Sequence, residues 1–367
     1  MKYNWEQSDW GNFTYSLEEV KENLFVFSEQ AGQLKGLLKA MPTISQQETI
    51  IEILVSEAIK TSEIENEYLS REDVTSSIKN NLGYYNLEKP VKDVRVRGVS
   101  KLMTEVRSTF KDSITEDTLK DWHRFLFTEK AHITVGDWRS HNEPMQVVSG
   151  AIGREIVHFE APPSSEVPKN MKAFIQWFNN TAPESKQSIK YAPVRAAIAH
   201  LYFETIHPFE DGNGRIGRAI ADKALSQTLG FSLLISLSDI IESNRKAYYD
   251  ALKNAQRNNE ITNWIIYFLN VIIDAQQKAE LLIDFTLKKA KFFDLYKDQL
   301  NERQSKCINR MLKEGTKGFE GGMTAKKYMR ICRTSKATAT RDLKKLEEIA
   351  AFNVLGSGRN THYNLNF

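Results

Sequence analysis

Between His207 and Arg218 the chain reads HPFEDGNGRIGR, set between two helical runs, and this stretch constrains the backbone more tightly than any other. The run before it, APVRAAIAHLYFETI, has to stop at His207, because Pro208 disfavours the α conformation in the residue that precedes it. Gly212 and Gly214 bracket Asn213 in a loop free to take unusual backbone angles, and a new helix is predicted from near Arg215 through IGRAIADKALSQTL. The N–H groups at such a helix start point outward together and suit an anion, supported by the helix dipole. Arg215 and Arg218, three apart, share a helix face and can reach two phosphates, or two oxygens of one. Asp211 offers a hard oxygen ligand for Mg2+ between phosphate oxygens, and His207 can accept a proton near neutral pH. A plain glycine turn between core helices accounts for Gly212 and Gly214 but not for the imidazole, acid, amide and two guanidiniums in this order. The set suits a nucleotide-dependent transfer to a hydroxyl.

Most of the remaining chain is also helical in pattern. Apolar residues recur at helical spacing in LEEVKENLFVFSEQAGQLKGLLKAM, QQETIIEILVSEAIKTSEIE and NMKAFIQWFNN. The exception is Met145 to Phe159, where two β-prone runs flank a glycine-bearing turn from Ser149 to Gly153, so a hairpin is expected in an otherwise helical protein. No run approaches the roughly 20 apolar residues of a membrane span, and MKYNWEQSDW has no signal-peptide pattern, so a cytoplasmic protein without membrane contact is expected. Cys307 and Cys332 show neither CxxC spacing nor histidine partners, which fits buried thiols rather than a disulfide or zinc site. The net charge of +3 hides an asymmetry: from Lys291 onward sixteen Lys and Arg face eight Asp and Glu, a surplus of +8, leaving −5 for residues 1–290. Such a basic module is an electrostatic sign of nucleic acid.

The stretch from His207 to Arg218 resembles the Fic family signature HPFx[DE]GNGRxxR at every defined position: His207, Pro208, Phe209, Asp211, Gly212, Asn213, Gly214, Arg215 and Arg218. The resemblance implies a mainly α protein, with a compact helical core and a β-hairpin flap, that transfers AMP from ATP to a Ser, Thr or Tyr hydroxyl of a protein. It makes His207 the general base and Asp211 the Mg2+ ligand. Gly212, Asn213 and Gly214 would serve the α-phosphate, Arg215 and Arg218 the β and γ phosphates, and Phe209 would pack the loop. The hairpin resembles the flap that registers the target by strand addition, with Val147, Val148, Ile156 and Val157 on its strands. In NRKAYYDALKNAQ, Tyr249 matches a tyrosine of the family's adenine pocket, while Gln256 stands where an asparagine is usual. The alternative for these tyrosines is core packing.

TSEIENEYL, from Thr61 to Leu69, resembles the family's inhibitory motif [ST]xxxE[GN], with Thr61, Glu65 and Asn66 in register. The resemblance implies that Glu65 pairs with Arg218 and denies it to the γ-phosphate, a charge-assisted competition within one chain. The same glutamate can serve AMP removal in such proteins. YNWEQSDWGNFTYSLEEV resembles the Trp-rich N-terminal region of a bacterial Fic subgroup.

The expected organisation is therefore an N-terminal helical region over 1–110, a catalytic core over 111–275, a connecting helix over 276–300 and a small domain over 301–367. In that last domain NERQSKCINRMLKEG, TAKKYMRIC and KATATRDLKKLEEIAAF read as three helices, with a turn at Arg333 to Ser335 and a glycine-tipped strand pair at the end. The order resembles a winged helix-turn-helix, in which Lys336, Thr338, Thr340, Arg341, Lys344, Lys345 and Arg359 would face DNA; such modules also dock proteins or form homodimers. Three functions follow for the whole chain. The first is a self-inhibited adenylyltransferase using ATP and Mg2+ on a protein target, itself included. The second is a phosphotransferase or deAMPylase on the same fold, and the third a DNA-bound nucleotide sensor without turnover.

Overall fold

The computed structural model describes residues 2–84, 90–128, 132–149 and 156–367. The elements run α1 (Leu17–Ala40), α2 (Thr43–Ile64), α3 (Arg71–Leu82), α4 (Val94–Ser108), α5 (Glu116–Leu126), the strands β1 (Gln146–Ser149) and β2 (Ile156–Glu160), then α6 (Val167–Asn180), α7 (Ala192–Ile206), α8 (Asn213–Leu229), α9 (Leu237–Ser243), α10 (Arg245–Ala255) and α11 (Thr262–Tyr296). They continue through α12 (Glu302–Leu312), α13 (Ala325–Cys332), α14 (Lys336–Glu348) and the strands β3 (Phe352–Leu355) and β4 (His362–Leu365). The chain forms two compact units, 1–36 with 50–279 and 37–49 with 280–367.

The first unit is built on α7, every residue of which is buried. A helix apolar on all sides belongs inside a core, and its polar members need partners there. Arg195 has them: its guanidinium donates to the Phe178, Thr181, Ala224, Gln227 and Thr228 oxygens, tying the end of α6 and the last turns of α8 to α7. Burial lowers its pKa to about 10, still far above neutrality. α8 starts at Asn213, two residues before the predicted start, because Gly212 in the left-handed region (φ 81°) supplies the N-cap; it stops at Gly230, again left-handed.

The Trp-rich N-terminal segment is stitched across this core. Trp5 Nε1 donates to the Glu160 carbonyl on β2, Trp10 Nε1 to Asn170 on α6, and the Trp10 ring meets Tyr202 of α7 edge-on at 5.0 Å. Thr14 pairs with Glu260 as a parallel bridge. β1 and β2 are antiparallel, Gln146 opposite Glu160 and Ser149 opposite Ile156, with a bulge between Val147 and Val148. Phe159 is buried, whereas Val157 is exposed. The glycine-bearing turn beyond Ser149 lies outside the described residues, as do the side chains of Val148 and Ile156.

In the second unit α12, α13 and α14 bury Ile308, Met311, Tyr328, Leu343 and Leu346 together with Phe352 of β3. Asp342 pins the three helices by accepting from Arg303 (2.8 Å), Asn301 and the Tyr328 hydroxyl. α13 ends on Arg333 in the left-handed region, and Ser335 caps α14 through the Thr338 N–H. β3 and β4 form an antiparallel hairpin, extended by the Met323–Tyr363 bridge. α14 is shorter than its pattern predicts, since Ala350 takes a positive φ and turns the chain into β3. Lys336, Thr340, Arg341, Lys344 and Lys345 are exposed; Thr338 is half-buried and shares a hydrogen bond with Ser335 at the cap. The Arg359 side chain lies outside the described residues. Cys307 is buried as expected, but Cys332 is only half-buried, its thiol donating to the Arg303 carbonyl at a helix end. Among the described residues no helix is long and apolar enough to cross a membrane.

Candidate active site

His207 is the C-cap of α7 and adopts left-handed angles (φ 50°, ψ 60°), its N–H bonded to the Phe203 carbonyl. For a residue with a Cβ this costs energy, so the surroundings must hold it. Arg139, buried and 68 residues away in sequence, does so. Its side chain donates to the carbonyls of His207 (2.8 Å), Ile206 and Pro162 and to Ser164, and its own N–H bonds to Pro208. Burial first, and then the Arg139 charge, lower the His207 pKa to about 4, so the imidazole is neutral at physiological pH and able to accept a proton. Its Nδ1 lies 3.8 Å from Glu204 Oε2, one turn back in α7. Glu204 is itself buried, and burial raises its pKa to about 8.

The loop after His207 is held rigidly. The Asn213 amide accepts the Phe209 N–H (3.0 Å) and donates to the Phe209 carbonyl (2.8 Å), so its side chain closes the loop, and only its backbone is turned to the helix start. The His123 ring stacks on Phe209 at 4.2 Å; its Nδ1 accepts the Gly136 N–H, which leaves Nε2–H to donate to the Asp211 carbonyl. Ile216 makes the first intrahelical bond of α8, to Gly212, so the N–H groups of Asn213, Gly214 and Arg215 precede the ladder. The Asp211 carboxylate, 55% exposed, stands at the mouth of this cradle and accepts the Gly212 N–H.

A carboxylate reaches the Arg218 guanidinium from the α2 side. Arg218, essentially buried, donates through Nη2 to Glu65 Oε1 (2.8 Å) and to the Thr61 carbonyl (3.0 Å), and through Nε to the Thr61 hydroxyl (2.8 Å). Burial opposes the Arg218 charge, but Glu65 and its neighbours outweigh it and raise the pKa. A Cβ on Gly214 would collide with Glu65 Oε1, and one on Gly217 with Glu204 Oε1. Asn66 takes a left-handed turn (φ 60°) and its Oδ1 accepts from Arg245 of α10 at 3.3 Å. That contact brings the start of α10 to the same place, with Tyr249 four residues on and therefore on the same face. Tyr249 is exposed, whereas Tyr248 is buried with its hydroxyl on His200 Nε2 (2.9 Å), so the pair divides into one core ring and one available ring. Gln256 is buried at the end of α10, its carbonyl taken by the Asn4 N–H.

The structure thus brings together Thr61, Glu65, Asn66, His207, Asp211, Gly212, Gly214, Arg215 and Arg218. Motif reading missed Arg139, His123, Glu204, Gly217 and Glu67, which pairs with Arg215 at 3.0 Å. Glu204 had a signal, a carboxylate inside an otherwise apolar helix; Arg139 and His123 had none, since their partners lie far along the chain.

Residues 113–225 match the Fic/DOC family model, and residues 3–84 match a domain of unknown function, DUF4172. A probable protein adenylyltransferase of Aquifex aeolicus is 32% identical over 127 residues, 32% of this chain and 33% of that protein. The protein adenylyltransferase Fic of Nematostella vectensis is 31% identical over 164 residues, 44% of this chain and 34% of its own length. The chain therefore spans about a third of the curated relatives it matches. Among solved structures, a Fic family protein from Desulfovibrio desulfuricans superposes with TM-score 0.53 at 20% identity, covering 94% of this chain and 95% of that one. A Fic domain containing signaling protein from Bacteroides thetaiotaomicron does so with TM-score 0.52 at 18% identity, over 73% and 97%. At these identities the likeness is one of fold.

Proposed function

With this chain a member of the Fic/DOC family through residues 113–225, we propose that it is a protein adenylyltransferase held off by its own Glu65. The observation that carries the reading is the pairing of half-buried Glu65 with buried Arg218: a carboxylate sits on the guanidinium that heads the anion-binding helix start, beside a neutral histidine. An anionic ligand for which that cation is suited must displace it.

In the reaction the target's hydroxyl oxygen attacks the α-phosphorus of ATP, the bond from that phosphorus to the bridging oxygen breaks, and pyrophosphate leaves. His207 takes the hydroxyl proton. The free N–H groups of Asn213 to Arg215 face the charge that develops on phosphate oxygens, and Arg215 and Arg218 bind the leaving phosphates. The half-exposed Asp211 carboxylate is a hard oxygen ligand of the kind Mg2+ takes together with phosphates and water, and the ion would neutralise charge between phosphate oxygens. Val147 and Val157, on the hairpin strands, would register the target segment, and Tyr249 would lie against the adenine. The target is a protein bearing a hydroxyl, this chain included. In the second unit, the basic exposed face of α14 behind a capped turn suits the backbone of duplex DNA.

The test uses ATP labelled at the α- or the γ-phosphate with wild type, Glu65→Gly and Glu65→Gly/His207→Ala. Strong incorporation of α-label by Glu65→Gly alone supports the proposal. Incorporation of γ-label makes the protein a phosphotransferase, and binding of ATP without any transfer makes it a sensor.

A further inference from the structure

The motif spacing gives no reason for the ion pair just beyond Glu65. Arg215 Nη1 donates to Glu67 Oε2 at 3.0 Å, and the two side chains are 3% and 26% exposed. The guanidinium is enclosed on its other sides: the Phe127 ring lies beneath it at 5.0 Å, and Nη2 is 3.7 Å from Asp211 Oδ1. Its Nε is buried without a partner. An arginine so confined has one face to offer an anion, and Glu67 occupies it.

Local backbone geometry explains how two carboxylates reach two arginines. α2 ends at Ile64, Asn66 turns left-handed, and the Glu67 N–H closes on the Ser62 carbonyl at 2.9 Å. This reversal sends the side chains of Glu65 and Glu67 to the same side. Arg215 and Arg218, three apart on α8, present matching cations.

We propose that Glu67 is a second inhibitory carboxylate, which keeps Arg215 from the nucleotide's phosphates as Glu65 keeps Arg218, so that the site opens in two separable steps. The proposal rests on the ATP-binding reading of this site. It predicts that removing Glu65 alone leaves the cradle half closed.

The experiment compares Glu65→Gly with Glu65→Gly/Glu67→Gln, measuring Mg-ATP affinity by isothermal titration and transfer of α-label at ATP concentrations below saturation. The added change should tighten Mg-ATP on the order of tenfold, within the usual range of coupling between sites, and raise transfer in proportion. An affinity that weakens, or changes by less than about twofold, means that Glu67 merely orients Arg215 and overturns the proposal. Glu67→Asp, which keeps the charge but withdraws it from Arg215, should shift affinity in the same direction by less, and melting curves show whether each variant is folded. Tighter binding without α-label would sink the adenylyltransferase reading while leaving this one standing, and transfer with unchanged affinity would do the reverse.

Discussion

A histidine that ends a helix in the left-handed region and is gripped by a buried arginine is not an ordinary histidine. Its neutral form is favoured by burial and by Arg139, which moves its protonation from the usual 6.5 down to about 4. A general base, the role proposed for His207, works when unprotonated, so lowering pH should remove activity only as the depressed pKa is crossed. Below the range in which buried Glu204 titrates, near 8, the kcat/KM of Glu65→Gly should therefore stay flat from about pH 6.5 to about 5 and fall tenfold per pH unit below about 4. A decline beginning near pH 6.5 would show that Arg139 and burial do not tune this group. The same residue illustrates what a sequence hides. Pro208 made the helix stop at His207 readable, but the strained angles and their distant support at Arg139 are properties of the folded chain alone.

At the level of elements, the helix–loop–helix around the motif was legible because its signals are local: a proline that stops α7, glycines that permit the loop, and arginines spaced on one face of α8. The hairpin was legible for the same reason, from β-prone runs on either side of a turn. What the pattern could not supply was how distant elements close on that loop, with α5 contributing His123, the segment before β1 contributing Arg139 and the turn after α2 contributing Glu67. The stretch that resembles the family's inhibitory motif carries a backbone requirement. Its last position, occupied by Asn66, must take a positive φ, which glycine and asparagine adopt at least cost. Asn66→Gly should then preserve inhibition, losing only the bond to Arg245, whereas Asn66→Val should distort the turn and raise basal α-label transfer several-fold, within the range for coupled sites. Equal basal rates for the two variants would show that the turn does not set the brake.

For the whole molecule, the segregation of charge is the feature with consequences beyond the catalytic chemistry. The basic surplus from Lys291 onward includes an exposed row of Lys336, Arg341 and Lys344 on α14. Fluorescence anisotropy with a mixed-sequence duplex should report binding that weakens steeply with salt, and each of these residues changed to Ala should lower the slope of log affinity against log salt by about one. Absence of binding at low salt would assign the module to protein contacts. One further consequence comes from the Thr61 carbonyl and hydroxyl, which hold Arg218 in place independently of Glu65. On the reading proposed above, aim and blockade are supplied by different residues, and the inhibited form would already be assembled for work. Glutamate and glycine codons differ by a single base, so on that reading one point mutation would carry a lineage through the first of the two steps of release and leave Arg215 still covered by Glu67.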